Sequence, residues 1–144
     1  MATQARGVDR RTFLTASTVA AAFGLPRLLS AEEWTAAEQD NVKVVNDFLH
    51  TRWLAPTMDW DKLASYLAED AVWGNRTNNL VRGRQAIIEE CKKTYGNPKR
   101  ELKMLQTFAI GPIVVNDRLD SGVPVVGVFE VRDGLIKEWR AFGK

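Results

Sequence analysis

Arg118-Leu119-Asp120 sets a guanidinium and a carboxylate two residues apart, so on a β-strand both side chains leave the same face. Trp139 and Ala141 bear the same relation to one another in the later segment Trp139-Arg140-Ala141. An Asp held by an Arg is favoured in its ionised form, and an ionised Asp is a proton acceptor. The chemistry such a pair suits is therefore general-base chemistry, proton abstraction from a carbon acid, and not a push-pull ring opening that needs an acid. Burial works in the opposite direction. The plainer alternative is an ion pair that only anchors a sheet. Asp117 and Glu138 are out of phase with Arg118 and Ala141 in regular strands, so both are expected in solvent. A β-bulge could turn Glu138 inward, but nothing in the spacing signals one.

Little else in the chain could do chemistry. His50 and Cys91 are single, which leaves no material for a Ser-His-Asp triad, a His- or Cys-rich metal site or an internal disulfide. No metal ion or organic cofactor is expected. His50 is expected at or near the surface, and Cys91 as an inert core thiol. The 144 residues suffice for one core, and 45% hydrophobic with 26% charged residues is ordinary globular composition. The net charge of +2 is unevenly placed. Residues 1–31 carry Arg6, Arg10, Arg11 and Arg27 against Asp9, a local +3 that leaves −1 for the rest. A near-neutral body offers no electrostatic footprint for nucleic acid.

The elements that must position the pair follow from periodicity. Thr35-Ala36-Ala37-Glu38 reads as a capping box opening a helix with Val42, Val45, Phe48 and Leu49 on one side, ending near Trp53 before Pro56. Asp59 can cap a second short helix carrying Leu63, Tyr66 and Leu67. Residues 71–75 are short and β-like. A third helix is expected over about 84–95, with Ile87, Ile88 and Cys91 inward, Lys92 and Lys93 near its C-terminus, and Gly96 and Pro98 to stop it. After Pro98 the period changes to two, over about 102–110, 113–120, 125–132 and 135–142. Asp133-Gly134 is a two-residue hairpin signal, and residues 121–124 make another tight connection. Helices followed by a run of strands is an α+β order. A curved antiparallel sheet wrapped around three N-terminal helices would leave a blind pocket for a small ligand. Trp34, Trp53 and Trp60 are expected to staple the helices to the sheet.

The first residues read as an address. Asp9-Arg10-Arg11-Thr12-Phe13-Leu14 resembles a twin-arginine export signal. The apolar run from Ala16 to Leu25 is much shorter than the ~20 residues of a membrane span, and Leu29-Ser30-Ala31 is a passable cleavage site. Residues 1–31 are thus expected to be a signal peptide and 32–144 the folded domain, periplasmic or extracellular, with no stable membrane insertion after cleavage.

The phrase Val115-Asn116-Asp117-Arg118-Leu119-Asp120, followed by Gly127-Val128-Phe129 and by Gly134 to Trp139-Arg140-Ala141-Phe142, resembles the limonene-1,2-epoxide hydrolase family. That family reads R-x-D, G-V-F and W-R-D at these places. The resemblance spans about Asn41 to Phe142. The stretch Leu63 to Asp70 is similar to a helix end common across nuclear-transport-factor-2-like (SnoaL-like) proteins, and so speaks for that cone-shaped α+β fold.

The resemblance implies an Arg that holds two carboxylates. One is a protonated acid that donates to the epoxide oxygen; the other is a base acting on a water that a Tyr and an Asn also hold. Residue by residue, Arg118 is the Arg, Asp120 the acid and Asn75 the Asn. The Tyr position is Trp73 and the base position is Ala141, so two of the three water-holding groups are missing. The hairpin between Asp120 and Gly127 is also shorter than the family's. Arg118, Asp120 and Asn75 are the expected catalytic residues, with Trp73, Trp139 and Ala141 against the substrate. The implied activity is water addition to a small apolar epoxide without a cofactor, weakened by Ala141, and an ionised Asp120 disfavours the push-pull opening of that epoxide. The alternatives are an isomerase or cyclase using Asp120 as its sole base, or a binding protein without catalysis. A homodimer is expected through the outer sheet face, which includes Val126 and Val128.

Overall fold

The computed structural model describes residues 33–74, 79–95 and 100–143. The twin-arginine segment, its cleavage site and Asn75 lie outside the described residues. Helix α1 (Ala36–Trp53) begins as expected: Glu38 N–H donates to Thr35 Oγ1, and Thr35 N–H donates to Glu38 Oε2 at 2.8 Å, the reciprocal capping box. Its buried stripe runs Glu38, Val42, Val45, Leu49, Arg52, with Phe48 beside it. That is helical spacing with a polar residue at each end.

Helix α2 (Trp60–Ser65) is capped by Asp59, whose carboxylate accepts from Lys62 N–H at 2.9 Å. Leu67, expected on this helix, instead opens strand β1 (Leu67–Gly74). Strand β1 is thus longer than its alternation suggests, because its buried residues are irregularly spaced (67, 68, 71, 73, 74). A short strand β2 (Leu80–Arg82), unforeseen in the sequence, pairs with β1. Helix α3 (Arg84–Thr94) then turns Ile87, Ile88 and Cys91 inward onto β1.

Four further strands follow: β3 (Leu102–Ile110), β4 (Ile113–Asp120), β5 (Val123–Arg132) and β6 (Leu135–Gly143). Strand β5 starts two residues earlier than its alternation predicts and includes Pro124, because the connection is only Ser121-Gly122. Both residues have positive φ (51° and 82°), as do Asp133 and Gly134 (52° and 73°). Both turns thus carry the positive φ at two successive residues that tight hairpins need.

The strand order is β2-β1-β6-β5-β4-β3. All pairs are antiparallel except β1 with β6, which is parallel. Parallel pairing is possible there because a long crossover through α3 and the β3–β5 meander separates the two strands in sequence. The curved, open sheet presents Val114, Phe129, Val131 and Ile136 to the helices, where they close the core with Phe48, Leu49 and Leu63.

Candidate functional site

Three aromatic rings form a ladder across β1, β6 and β5. Trp73 faces Trp139 in register, and Trp139 faces Phe129. The rings stack at centroid distances of 4.9 Å and 5.8 Å, with interplanar angles of 10° and 7°. Phe48 from α1 meets Trp139 edge-on at 5.1 Å. Each such pair contributes about 0.5–1.5 kcal/mol beyond its area, so this ladder is a stiff platform.

One level along the strands the side chains shrink. Ala141 faces Gly127, and Gly127 faces Asn116. A methyl group on Gly127 would overlap Arg118 Nη1 and stand 2.8 Å from both Asn116 Oδ1 and Phe129 Cε2. The missing side chain is therefore the trough in which the Arg118 guanidinium lies, which is the physical content of the Gly-Val-Phe phrase.

Arg118 is 1% exposed and Asp120 7%. Arg118 Nε donates to Asp120 Oδ1 at 2.8 Å and Nη2 donates to Oδ2 at 3.2 Å. Both carboxylate oxygens accept, the geometry of an ionised Asp in a bidentate pair. Arg118 Nη1 donates to Asn116 Oδ1 at 2.5 Å. Asn116 was not anticipated as a site residue, though N-x-R-x-D carries its own signal: a third polar side chain on the Arg–Asp face. It is fully buried, and its Nδ2 has no acceptor among the described residues.

These residues border a cavity of about 280 Å³. Of the six residues expected at the site, the cavity brings together Arg118, Asp120, Ala141, Trp73 and Trp139. Asn75 lies outside the described residues. The cavity adds Arg52 and Trp53 from α1, Glu90 and Thr94 from α3, and Arg100 just before β3. Trp53 thus contributes to the cavity wall as well as packing at the end of its helix. Trp60, by contrast, sits edge-on to Tyr95 at 5.3 Å, away from the cavity lining.

Arg52 is 6% exposed, and its guanidinium carbon stands 5.1 Å, 5.6 Å and 5.1 Å from the ring centroids of Trp53, Trp73 and Trp139. Its legible signal was phase. Position 52 continues the Val42, Val45, Leu49 stripe, so the side chain had to point inward. Arg100 lies 5.1 Å from the centroids of both Trp53 and Tyr95. Burial, and then the positive charge of Arg52, hold Arg100 below its ordinary value.

Glu138 remains outside. A bulge is present after all: Val131 pairs with Ile136 but Glu130 with Glu138, leaving Lys137 as the extra residue. It precedes Glu138, and it brings Ile136 onto the same buried face as Trp139 and Ala141. Glu138 accepts from Arg140 at 2.5 Å on the opposite face. His50 is exposed and Cys91 is buried, both as expected. Among the described residues no group of three His, Cys, Asp or Glu could hold a metal ion, and no helix is long and apolar enough to cross a membrane.

The open α+β sheet with its helix-lined cavity is a nuclear-transport-factor-2-like fold. Residues 39–143 match the limonene-1,2-epoxide hydrolase catalytic domain, and the chain belongs to that family. Among solved structures it is similar to an epoxide hydrolase of this type from M. tuberculosis, at 26% identity and TM-score 0.64, covering 74% of this chain and 84% of that one. A provisionally assigned SnoaL-like polyketide cyclase from Jannaschia is similar at 21% identity and TM-score 0.66, covering 76% and 89%. A provisionally assigned ketosteroid isomerase from Kribbella flavida is similar at 21% identity and TM-score 0.60, covering 74% and 79%; these last two likenesses bear on fold alone. No curated protein sequence matches the chain.

Proposed function

We propose that this chain is a small-molecule enzyme in which Asp120, oriented by Arg118, acts as the base, adding water slowly to an epoxide. The observation that carries this reading is the buried bidentate pair on the cavity wall. Asp120 would take a proton from water as the new C–O bond forms and the ring C–O bond breaks. The same proton then passes to the alkoxide, giving a diol. With Ala141 in place of a carboxylate, that position supplies no acid to assist ring opening, so turnover is slow. Asn75 would hold water or substrate.

The test is incubation of the purified full chain with a panel of cyclic epoxides in oxygen-18 water, beside Asp120→Asn. Labelled diol that falls about 100-fold or more in the variant supports the reading, since a positioned base contributes about 10²–10⁴-fold. Diol formed equally by both proteins would refute it. The absence of a carboxylate at position 141 favours one further reading, in which Asp120 takes a proton from carbon as an isomerase or cyclase does. Deuterium exchange into a cyclic ketone, lost in Asp120→Asn, would distinguish it. A binding protein would show ligand-dependent thermal stabilisation without turnover.

Two further properties complete the proposal. Export by the twin-arginine route fits Arg10-Arg11-Thr12-Phe13-Leu14 and the apolar run after it. A homodimer fits the outer face of the sheet, where Phe142 is 51% exposed beside Val126. Sedimentation equilibrium giving a monomer at micromolar concentration would refute the dimer.

A further inference from the structure

The cavity wall contains a buried cation, Arg52, with no carboxylate partner among the described residues. Among the described residues, Arg52 Nε and the indole N–H groups of Trp53, Trp73 and Trp139 are buried without a hydrogen-bond partner. All four residues line the cavity. Its charges are also unbalanced. Asp120 is engaged by Arg118 and Glu90 by Lys93 at 2.8 Å, and no carboxylate among the described residues pairs with Arg52. Arg100, in the same wall, adds a second cation whose proton is already disfavoured by burial and by Arg52. A buried arginine among three indoles is only partly compensated by cation–π attraction. Trp139 is covered on both faces by Trp73 and Phe129, so Arg52 lies beside that stack and no carboxylate among the described residues balances its charge. An apolar ligand would leave the buried Arg52 charge without a counter-ion, at a cost that an anionic ligand would remove.

We propose that the cavity recognises a small carboxylate-bearing ligand, its anionic end received by Arg52 and its apolar body held against Trp73 and Trp139. This rests on the reading of the cavity as the substrate site and narrows the substrate class from a neutral epoxide to an apolar acid. The acid function binds and does not react; the reacting carbon is presented to Asp120. Arg100 supplements the positive potential at the same end. Arg118 is not the anion receptor, because its charge is already balanced by the bidentate contact with Asp120, whereas Arg52 has no carboxylate partner among the described residues.

The test is calorimetric titration of the full chain with cyclohexanecarboxylate, its methyl ester and cyclohexylmethanol, at two salt concentrations. A charge-assisted contact predicts that the acid binds about tenfold tighter than either neutral compound, or more. The advantage should weaken only modestly with salt, since the site is buried. In Arg52→Gln the preference should fall to about parity, while affinity for the ester is retained within about threefold. Arg52→Lys should keep part of it, because the charge remains without the planar fork. The comparison of acid with ester in the unmodified protein stands whether or not the variants fold. Equal binding of acid and ester would overturn the inference and leave the cavity and its base intact. Binding of none of the three would overturn the inference and count against the cavity as a ligand site.

Discussion

Asp120, Arg118, Asn116 and Gly127 work as one unit, and their separate substitutions should fail in different ways. Gly127→Ala places a methyl where Arg118 Nη1 lies, and Arg118 can yield only by disturbing its bonds to Asn116 and Asp120. Overpacking of this kind costs about 1–3 kcal/mol. Thermal denaturation should therefore show a loss of that order, with diol formation falling alongside because the Arg118–Asp120 geometry moves. Ala141→Asp should act in the other direction on activity. Position 141 lines the cavity beside Gly127, and Arg118 retains unused N–H donors. A second carboxylate there would stand beside Asp120 on the same guanidinium and supply the group missing from the site. We expect faster diol formation, by about tenfold or more, and no gain in a full kinetic comparison would count against the assigned face of β6.

At the level of elements, α1 ties both ends of the molecule together through the two polar members of its buried stripe. Arg52 serves the cavity at the C-terminal end. Glu38 serves the other end: Oε2 completes the capping box, and Oε1 accepts from Gly111 N–H at 2.8 Å in the β3–β4 turn. Asn41 Nδ2 reinforces the clamp by donating to Gly111 O at 3.1 Å. The Gly111 and Thr35 backbone donors hold Glu38 below its ordinary value of 4.5. The native state therefore prefers the ionised form. Stability from this source is present above 4.5 and is lost as the pH falls through the lowered native value. Glu38→Gln should accordingly melt below the unmodified protein at neutral pH, and the gap between their Tm values should close as pH is lowered through that range. A gap that widened on acidification would refute the clamp.

For the whole molecule, the sheet order determines what the cavity can be. Strand β6 sits between β1 and β5, so Trp139 and Ala141 are flanked by Trp73 on one side and Gly127 on the other. The export reading belongs to this scale as well. Replacing Arg10 and Arg11 by lysines should retain the chain inside the cell in a fractionation experiment, while leaving the isolated domain's melting temperature unchanged. Secretion that is indifferent to the change would sink the twin-arginine assignment.

What the sequence determined by itself was local. Caps at Thr35 and Asp59, the Asp133-Gly134 turn and the period-two alternation each depend on residues within a few positions, so their outcomes were legible. The phase of Arg118 and Asp120 was legible for the same reason. The parallel β1–β6 pair, strand β2 and the bulge at Lys137 were not, because each depends on which distant strand becomes a neighbour. Nor was the company of Arg52. Its inward phase could be read from the helix, but only the tertiary structure brings three tryptophans from α1, β1 and β6 around one guanidinium and leaves it without a carboxylate among the described residues. Periodicity dictates which way a side chain points; long-range packing decides what it meets there.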